Sequence, residues 1–275
     1  MGTYKYLLIY IALFEIIYSI VDMIISPILF SHDSIYMVIV NVKTNMLSGE
    51  VLLILDAVYC GCYGSFMGLF ALNFIYRYFV ASGSKYLATF NNSKFFLWLS
   101  IPLIYGIIWG MICYFLISPT SQIDNVMRNE VMLNFGWEME DITYIGPYCY
   151  QKQQNETYII DLNSIIALIL MSTIIISSIS ALIFFGVRCY LKINQLFKGV
   201  ILMHTPCSCI FIFTLLDLDL GTLSGISTLT VALFPALDPL PTMFLIENYR
   251  NVIINCFSEP VKKLRTSSEL KMIAT

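Results

Sequence analysis

Phe234-Pro235-Ala236-Leu237-Asp238-Pro239-Leu240-Pro241-Thr242-Met243-Phe244-Leu245-Ile246-Glu247-Asn248-Tyr249-Arg250-Asn251-Val252-Ile253 closes an apolar segment that begins near Thr222. An acid alone in a membrane-length segment is costly in lipid and therefore faces the protein interior. Pro239 and Pro241 remove backbone donors beside Asp238, so the helix is kinked at its polar point. A kinked span carrying an inward acid belongs to a packed bundle of helices rather than to a single anchor.

The rest of the chain agrees. Of 275 residues 58% are hydrophobic and 12% charged, with a mean hydropathy of +0.78, against about 25% charged in soluble domains. That balance is one of an integral membrane protein. Six stretches are long enough to cross ~30 Å of hydrocarbon, over roughly 6–29, 50–76, 95–117, 161–185, 197–216 and 222–246. They show no sustained alternation and exceed the length of a barrel strand, so an all-α transmembrane bundle is expected. A short amphipathic helix over about 247–258 follows, because Tyr249, Val252, Ile253, Cys256 and Phe257 recur at helical spacing beside Arg250 and Lys262-Lys263. Residues 1–258 then form the bundle and 259–275 a disordered tail.

Orientation is set by basic residues. Twelve of the fifteen Lys and Arg fall on one side, which holds both termini, and only Lys43, Arg128 and Lys152 on the other. Both termini are therefore expected in the cytoplasm. The outer side collects ten acids, Asp33, Asp124, Glu130, Glu138, Glu140, Asp141, Glu156, Asp161, Asp217 and Asp219. The sequon Asn155-Glu156-Thr157 lies there and makes Asn155 a glycosylation candidate. Cys256 is placed for palmitoylation. Net charge of −3 gives no footprint for nucleic acid. Cys60-Gly61-Cys62 and Cys207-Ser208-Cys209 lack zinc-site spacing and read as packing residues, so no metal or cofactor is expected. No His-Glu-x-x-His pair or Gly-x-Ser-x-Gly elbow points to an enzyme.

Within the spans, Tyr59, Tyr63 and Phe66 form a stripe at i, i+4, i+7, which suits either helix packing or a ligand-facing wall. Glu15 and Asp22 share a face of the first span. Glu15 lies at a depth comparable to Asp238, and the two could share a proton or a cation, or Glu15 could face away from the bundle. A concave apolar pocket in the outer half would take a small organic molecule, with Tyr59, Tyr63 and Phe211 as wall candidates. No charged anchor stands out, which favours a neutral, apolar ligand. Cys149 in the long outer loop and Cys60 share a compartment that permits a disulfide.

Leu72-Asn73-Phe74-Ile75-Tyr76-Arg77-Tyr78, Leu237-Asp238-Pro239-Leu240-Pro241-Thr242 and Asn248-Tyr249-Arg250-Asn251 together resemble the nematode Str/Srj-type seven-transmembrane chemoreceptors, which are serpentine G-protein-coupled receptors. Gly2-Thr3-Tyr4-Lys5-Tyr6-Leu7 and Phe14-Glu15-Ile16-Ile17-Tyr18-Ser19 resemble the family's entry into its second helix, so the six spans would be family helices two to seven, with the first helix lacking. The loop from Gly186 to Lys198 is shorter than the family's. The resemblance implies a rhodopsin-like architecture, a small odorant as ligand, a heterotrimeric G protein as partner and the ciliary plasma membrane of a sensory neuron as location. It also implies a switch. Arg77 and Tyr78 would stand at the foot of helix three, Pro206 would kink helix six, Asp238-Pro239 would hinge helix seven, and Tyr249 and Arg250 would begin the amphipathic helix. A truncated non-signalling receptor or heteromer partner stays open beside this. A transporter or channel subunit is opposed by the lack of an Arg series, a Gly-rich filter and an inverted repeat.

Overall fold

The computed structural model describes residues 4–90, 93–152 and 158–190, and four helices in it are long and apolar enough to cross a membrane. These are α1 (Tyr4–Ile25), α2 (Gly49–Ser82), α3 (Phe95–Leu116) and the last helix described, Leu162–Tyr190. They correspond to the first four predicted spans. The predicted spans 197–216 and 222–246, the amphipathic helix and the tail lie outside the described residues.

Helix α2 is buried over most of its length, whereas the other three leave apolar flanks exposed. In α1 the buried residues Leu7, Ile11, Glu15, Tyr18, Val21 and Ile25 follow helical spacing, and Ile9, Leu13, Ile16, Ile17 and Ile20 face outward. An outward apolar face of this length needs an apolar neighbour, and in a membrane-spanning helix lipid is one that suits it. At 34 residues α2 measures ~51 Å and outreaches the hydrocarbon. It stops at Gly83, whose φ of 62° is left-handed; the Gly83 amide donates to Val80 O and the Ser84 amide to Phe79 O, closing the last turn.

The seam between α2 and α3 is built from small residues. A Cβ on Gly61 would lie 2.8 Å from Gly106 O, one on Gly68 2.8 Å from Pro102 Cα, and one on Gly110 3.0 Å from Ala57 O. Backbones this close gain dispersion contacts in lipid, where no hydrophobic effect draws helices together.

The strictly all-α expectation needs a correction at one end of the bundle. The chain is mostly helical, but β1 (Ile28–His32), β2 (Ile35–Asn41) and β3 (Ile142–Ile145) form an antiparallel sheet in the order β1-β2-β3. His32 pairs with Ile35 across a two-residue turn at Asp33-Ser34, with Asp33 at a φ of 48°. Helix α4 (Ser121–Phe135) lays Ile123, Met127 and Val131 against this sheet in one core with Phe30, Met37, Ile39, Ile142 and Tyr144. A second pair, β4 (Tyr150–Lys152) and β5 (Tyr158–Ile160), leads into α5, the helix Leu162–Tyr190. The sheet exists because the segment from Ile28 leaves the helix at Ser26-Pro27 and then offers β-branched residues on both faces, α4 covering one and α2 abutting β2 and β3.

Candidate functional site

Helix α2 presents three faces, one to α1 and two that meet α3, the second of these reaching α5 as well. Ala57, Gly61, Gly64 and Gly68 meet α3. Tyr59 and Phe66 meet α1. The Tyr18 and Tyr59 rings stack at 5.3 Å, and Phe66 takes the edges of Tyr18 at 5.2 Å and Phe14 at 5.5 Å. Tyr18 Oη donates to Tyr59 Oη at 3.1 Å, and the Tyr59 hydroxyl bonds onward to the Asp22 carboxylate. The pair at the end of the relay holds its geometry because each hydroxyl is satisfied and the rings are buried.

The third face carries Asp56, Cys60, Tyr63 and Met67 at i, i+4, i+7, i+11. Cys60 is in hydrogen-bond contact with Cys113 of α3, Tyr63 tilts against Trp109 at 5.5 Å, and Met67 O accepts from Ser178 Oγ of α5 at 2.8 Å. Asp56 is 0% exposed, and among the described residues neither carboxylate oxygen has a hydrogen-bond partner. The sequence reading passed over this residue. The signal was there, since it is an acid alone in a membrane-length segment, the same argument that singled out Asp238.

At the opposite end of α2, Tyr76 stacks on Tyr4 at 5.0 Å and receives the edge of Phe90 at 5.1 Å. Arg77 donates through Nη2 to Tyr4 Oη at 3.5 Å and lies 5.9 Å from the Phe74 ring. Tyr78 packs on Phe185 of α5 at 5.4 Å. The aromatic box around Arg77 is therefore the joint between α1, α2 and α5. Asn73, one turn above, is buried, with Oδ1 unpaired among the described residues.

Other candidates fall as follows. Glu15 is 9% exposed and lies on the buried face of α1, so it does not face outward. Its possible partner Asp238 lies outside the described residues, as do Asn155, Pro206, Phe211, Pro239, Tyr249, Arg250 and Cys256. Cys60 and Cys149 are both buried and are not joined by a disulfide, and the neighbour of Cys60 is Cys113. Outside the membrane segments, Tyr144 donates to Asp124 Oδ1 at 2.7 Å and accepts from the Thr120 amide at 3.1 Å, fixing the start of α4. Burial, with the negative Asp124 beside it, pushes the Tyr144 phenol well above its usual range.

The model of the family described as serpentine type 7TM GPCR chemoreceptor Str matches residues 1–199 and 193–254. The chain belongs to that family. Its two matched segments meet where the loop from Gly186 to Lys198 reads as shortened. Among its relatives, the Caenorhabditis elegans G-protein coupled receptor str-217 is 29% identical, over 96% of this chain and 85% of the relative. Serpentine receptor class r-10 from the same organism is 25% identical over 93% of this chain and 81% of its own. Serpentine receptor class J-38 is 26% identical over 72% and 58%. No solved structure matches. The chain is thus a multi-pass membrane protein of a chemosensory receptor class, and that class is not one of enzymes.

Proposed function

We propose that this serpentine chemoreceptor binds a small organic odorant in the outer half of its bundle and signals through its cytoplasmic face to a heterotrimeric G protein. The observation that carries the reading is the family match over nearly the whole chain. In this reading the sheet end of α2 is outer, the Arg77 end is inner, both termini are cytoplasmic, and the receptor resides in the plasma membrane of a sensory cilium. The excess of Lys and Arg on the side holding Arg77 supports that orientation.

The odorant meets Tyr59 and Tyr63, ~27 and ~21 Å above Arg77 along α2, and Phe211 is a further wall candidate. Binding redistributes the polar points of the bundle: Glu15 is one such point on the buried face of α1, Pro206 and Asp238-Pro239 act as hinges of their own spans, and Arg77 and Tyr78 alter what the inner face shows to the G protein. Tyr249 and Arg250 seat the amphipathic helix on the inner leaflet, held by an acylated Cys256, while Asn155 carries a glycan outside. Ring contacts of Arg77, Tyr76 and Tyr78 with α1 and α5 support a joint of this kind at the inner end.

The test is calcium imaging of cells expressing the chain, challenged with volatile and water-soluble cues. A response to a defined cue is expected, reduced in Arg77→Ala at unchanged surface level. Silence across the panel with surface expression confirmed would reject the receptor reading. An epitope on either terminus that labels intact cells would reject the orientation.

A further inference from the structure

We infer that Asp56 is the anchor for a positively charged group, and that the receptor's ligand is a small protonated amine rather than a neutral odorant. The inference rests on the proposed receptor reading and names the ligand class for the same outer site. Asp56 is fully buried on the face of α2 that carries Cys60 and Tyr63, and among the described residues neither of its oxygens is hydrogen-bonded. A buried acid in that state is unfavourable unless something supplies donors and charge.

The chain itself has little to offer. The six predicted spans contain a single Lys or Arg, Lys198, one residue from the inner end of its span. His204, the one imidazole in those spans, lies outside the described residues, and Asp56 lies ~31 Å above Arg77 along α2. Of the three outer bases, Lys43 is paired with Asp141 at 2.9 Å and Arg128 with Glu140 at 2.8 Å. Among the described residues neither oxygen of Asp56 is hydrogen-bonded, and in this inference the ligand supplies the cation that completes it.

The route to it has the matching sign. By the sequence assignment ten acids against three bases fall on the outer side, so the local potential there concentrates cations and repels anions. Around Asp56 the same face supplies what an alkyl or aryl ammonium needs besides its counter-charge. Tyr63 and Trp109 lie one to two turns below, ring against ring at 5.5 Å, and an aromatic pair of this kind accepts the apolar body of the ligand. The ammonium donates its N–H groups to the two free carboxylate oxygens, in charge-assisted bonds, and no proton or electron is transferred.

The experiment uses the full chain in lipid nanodiscs and in cells, with n-hexylamine and 2-phenylethylamine against the neutral counterparts 1-hexanol and 2-phenylethanol. Thermal stabilisation and calcium responses are expected from the amines at concentrations about tenfold to a hundredfold below those of the alcohols. Asp56→Asn removes that preference while reaching the surface, and Asp56→Glu, which keeps the charge, retains it. Equal effects of amine and alcohol, or no effect of either amine, overturn the inference. So does stabilisation by sodium chloride but not caesium chloride that is lost in Asp56→Asn without any amine effect, which assigns an inorganic cation. Calcium responses to neutral cues that persist in Asp56→Asn overturn the amine anchor and leave the receptor reading standing.

Discussion

Placing a methyl group in the α2–α3 seam tests the packing on which the whole bundle rests. In Gly61→Ala the new Cβ lies 2.8 Å from the Gly106 carbonyl oxygen, where ordinary contact begins at 3.4 Å. The helices must part by about 0.6 Å at that point, since the atom in the way is backbone and has no rotamer to escape into. Gly68→Ala meets Pro102 Cα at the same 2.8 Å. Overpacking of this kind costs about 1–3 kcal/mol per site, and alanine returns ~0.5–1 kcal/mol through its lower backbone entropy. The net loss is roughly 0.5–2 kcal/mol for each substitution. The sites are seven residues, ~10 Å, apart along the helix, far enough for the losses to add. Thermal unfolding of the purified chain in nanodiscs is the assay, with Gly49→Ala as control because its Cβ finds nothing nearer than 3.8 Å. The double variant should melt about 3–10 °C below the control. A double variant that melts within ~1 °C of Gly49→Ala would refute the claim that the backbones touch.

Three further outcomes follow from the geometry. Tyr144→Phe removes the donor to Asp124 and the acceptor of the Thr120 amide, so hydrogen exchange over 121–135 should accelerate by about five- to tenfold, a loss of ~1–1.5 kcal/mol; unchanged exchange would show that α4 is fixed by its core alone. The same phenol predicts a pH dependence. Its ionisation is displaced upward in the folded cap, so its contribution is complete below the unfolded value near pH ~10 and disappears as pH rises toward the folded one, and alkali should loosen the cap of the parent protein but not of Tyr144→Phe. Arg128→Ala breaks an exposed ion pair at 2.8 Å and should shift stability by less than ~1 kcal/mol, with the small effect vanishing in high salt.

The helices were legible because each span is a long apolar run, and their predicted limits of 95–117 and 161–185 lie close to Phe95–Leu116 and Leu162–Tyr190. The first span was drawn to 29 because Ile28 and Leu29 are apolar, yet the helix ends at Ile25, where Ser26-Pro27 turns the chain out of it. Composition cannot separate those residues from a helix; the β-branched run Ile35-Tyr36-Met37-Val38-Ile39-Val40, with a polar turn before it, could have done so. The second span ran on to Ser82 because Arg77 and Tyr78 continue the helix beyond the apolar stretch as a joint with α1 and α5. Within the site, the stripe of Tyr59, Tyr63 and Phe66 was visible, but its division between α1 and α3 was not, because helical spacing gives a face and not the neighbour that covers it. Asp56 was in plain view as a residue type; its lack of a hydrogen-bond partner among the described residues is a property of three dimensions.

The three faces of α2 also constrain how its two ends could be coupled. Asp56 and Arg77 are ~31 Å apart on one continuous helix, too far for a direct electrostatic effect through screened surroundings. A ligand can act at that distance only by favouring one arrangement of packed elements over another. The α2–α3 seam is a poor candidate for rearrangement, since backbone lies against backbone at Gly61 and Gly68 and neither side has a side chain that could repack. Contacts with α1 are of another kind. Rings and hydroxyls join the two helices near both ends of α2, Tyr18 against Tyr59 towards one and Tyr4 against Tyr76 and Arg77 towards the other. Such contacts have alternative rotamers and alternative hydrogen-bond partners within a few kcal/mol. A displacement of α1 that disturbs Tyr18 and Tyr59 therefore disturbs the contacts of Tyr4 with Tyr76 and Arg77 in the same motion. Among the described helices, α1 meets α2 towards both ends through contacts of this adjustable kind.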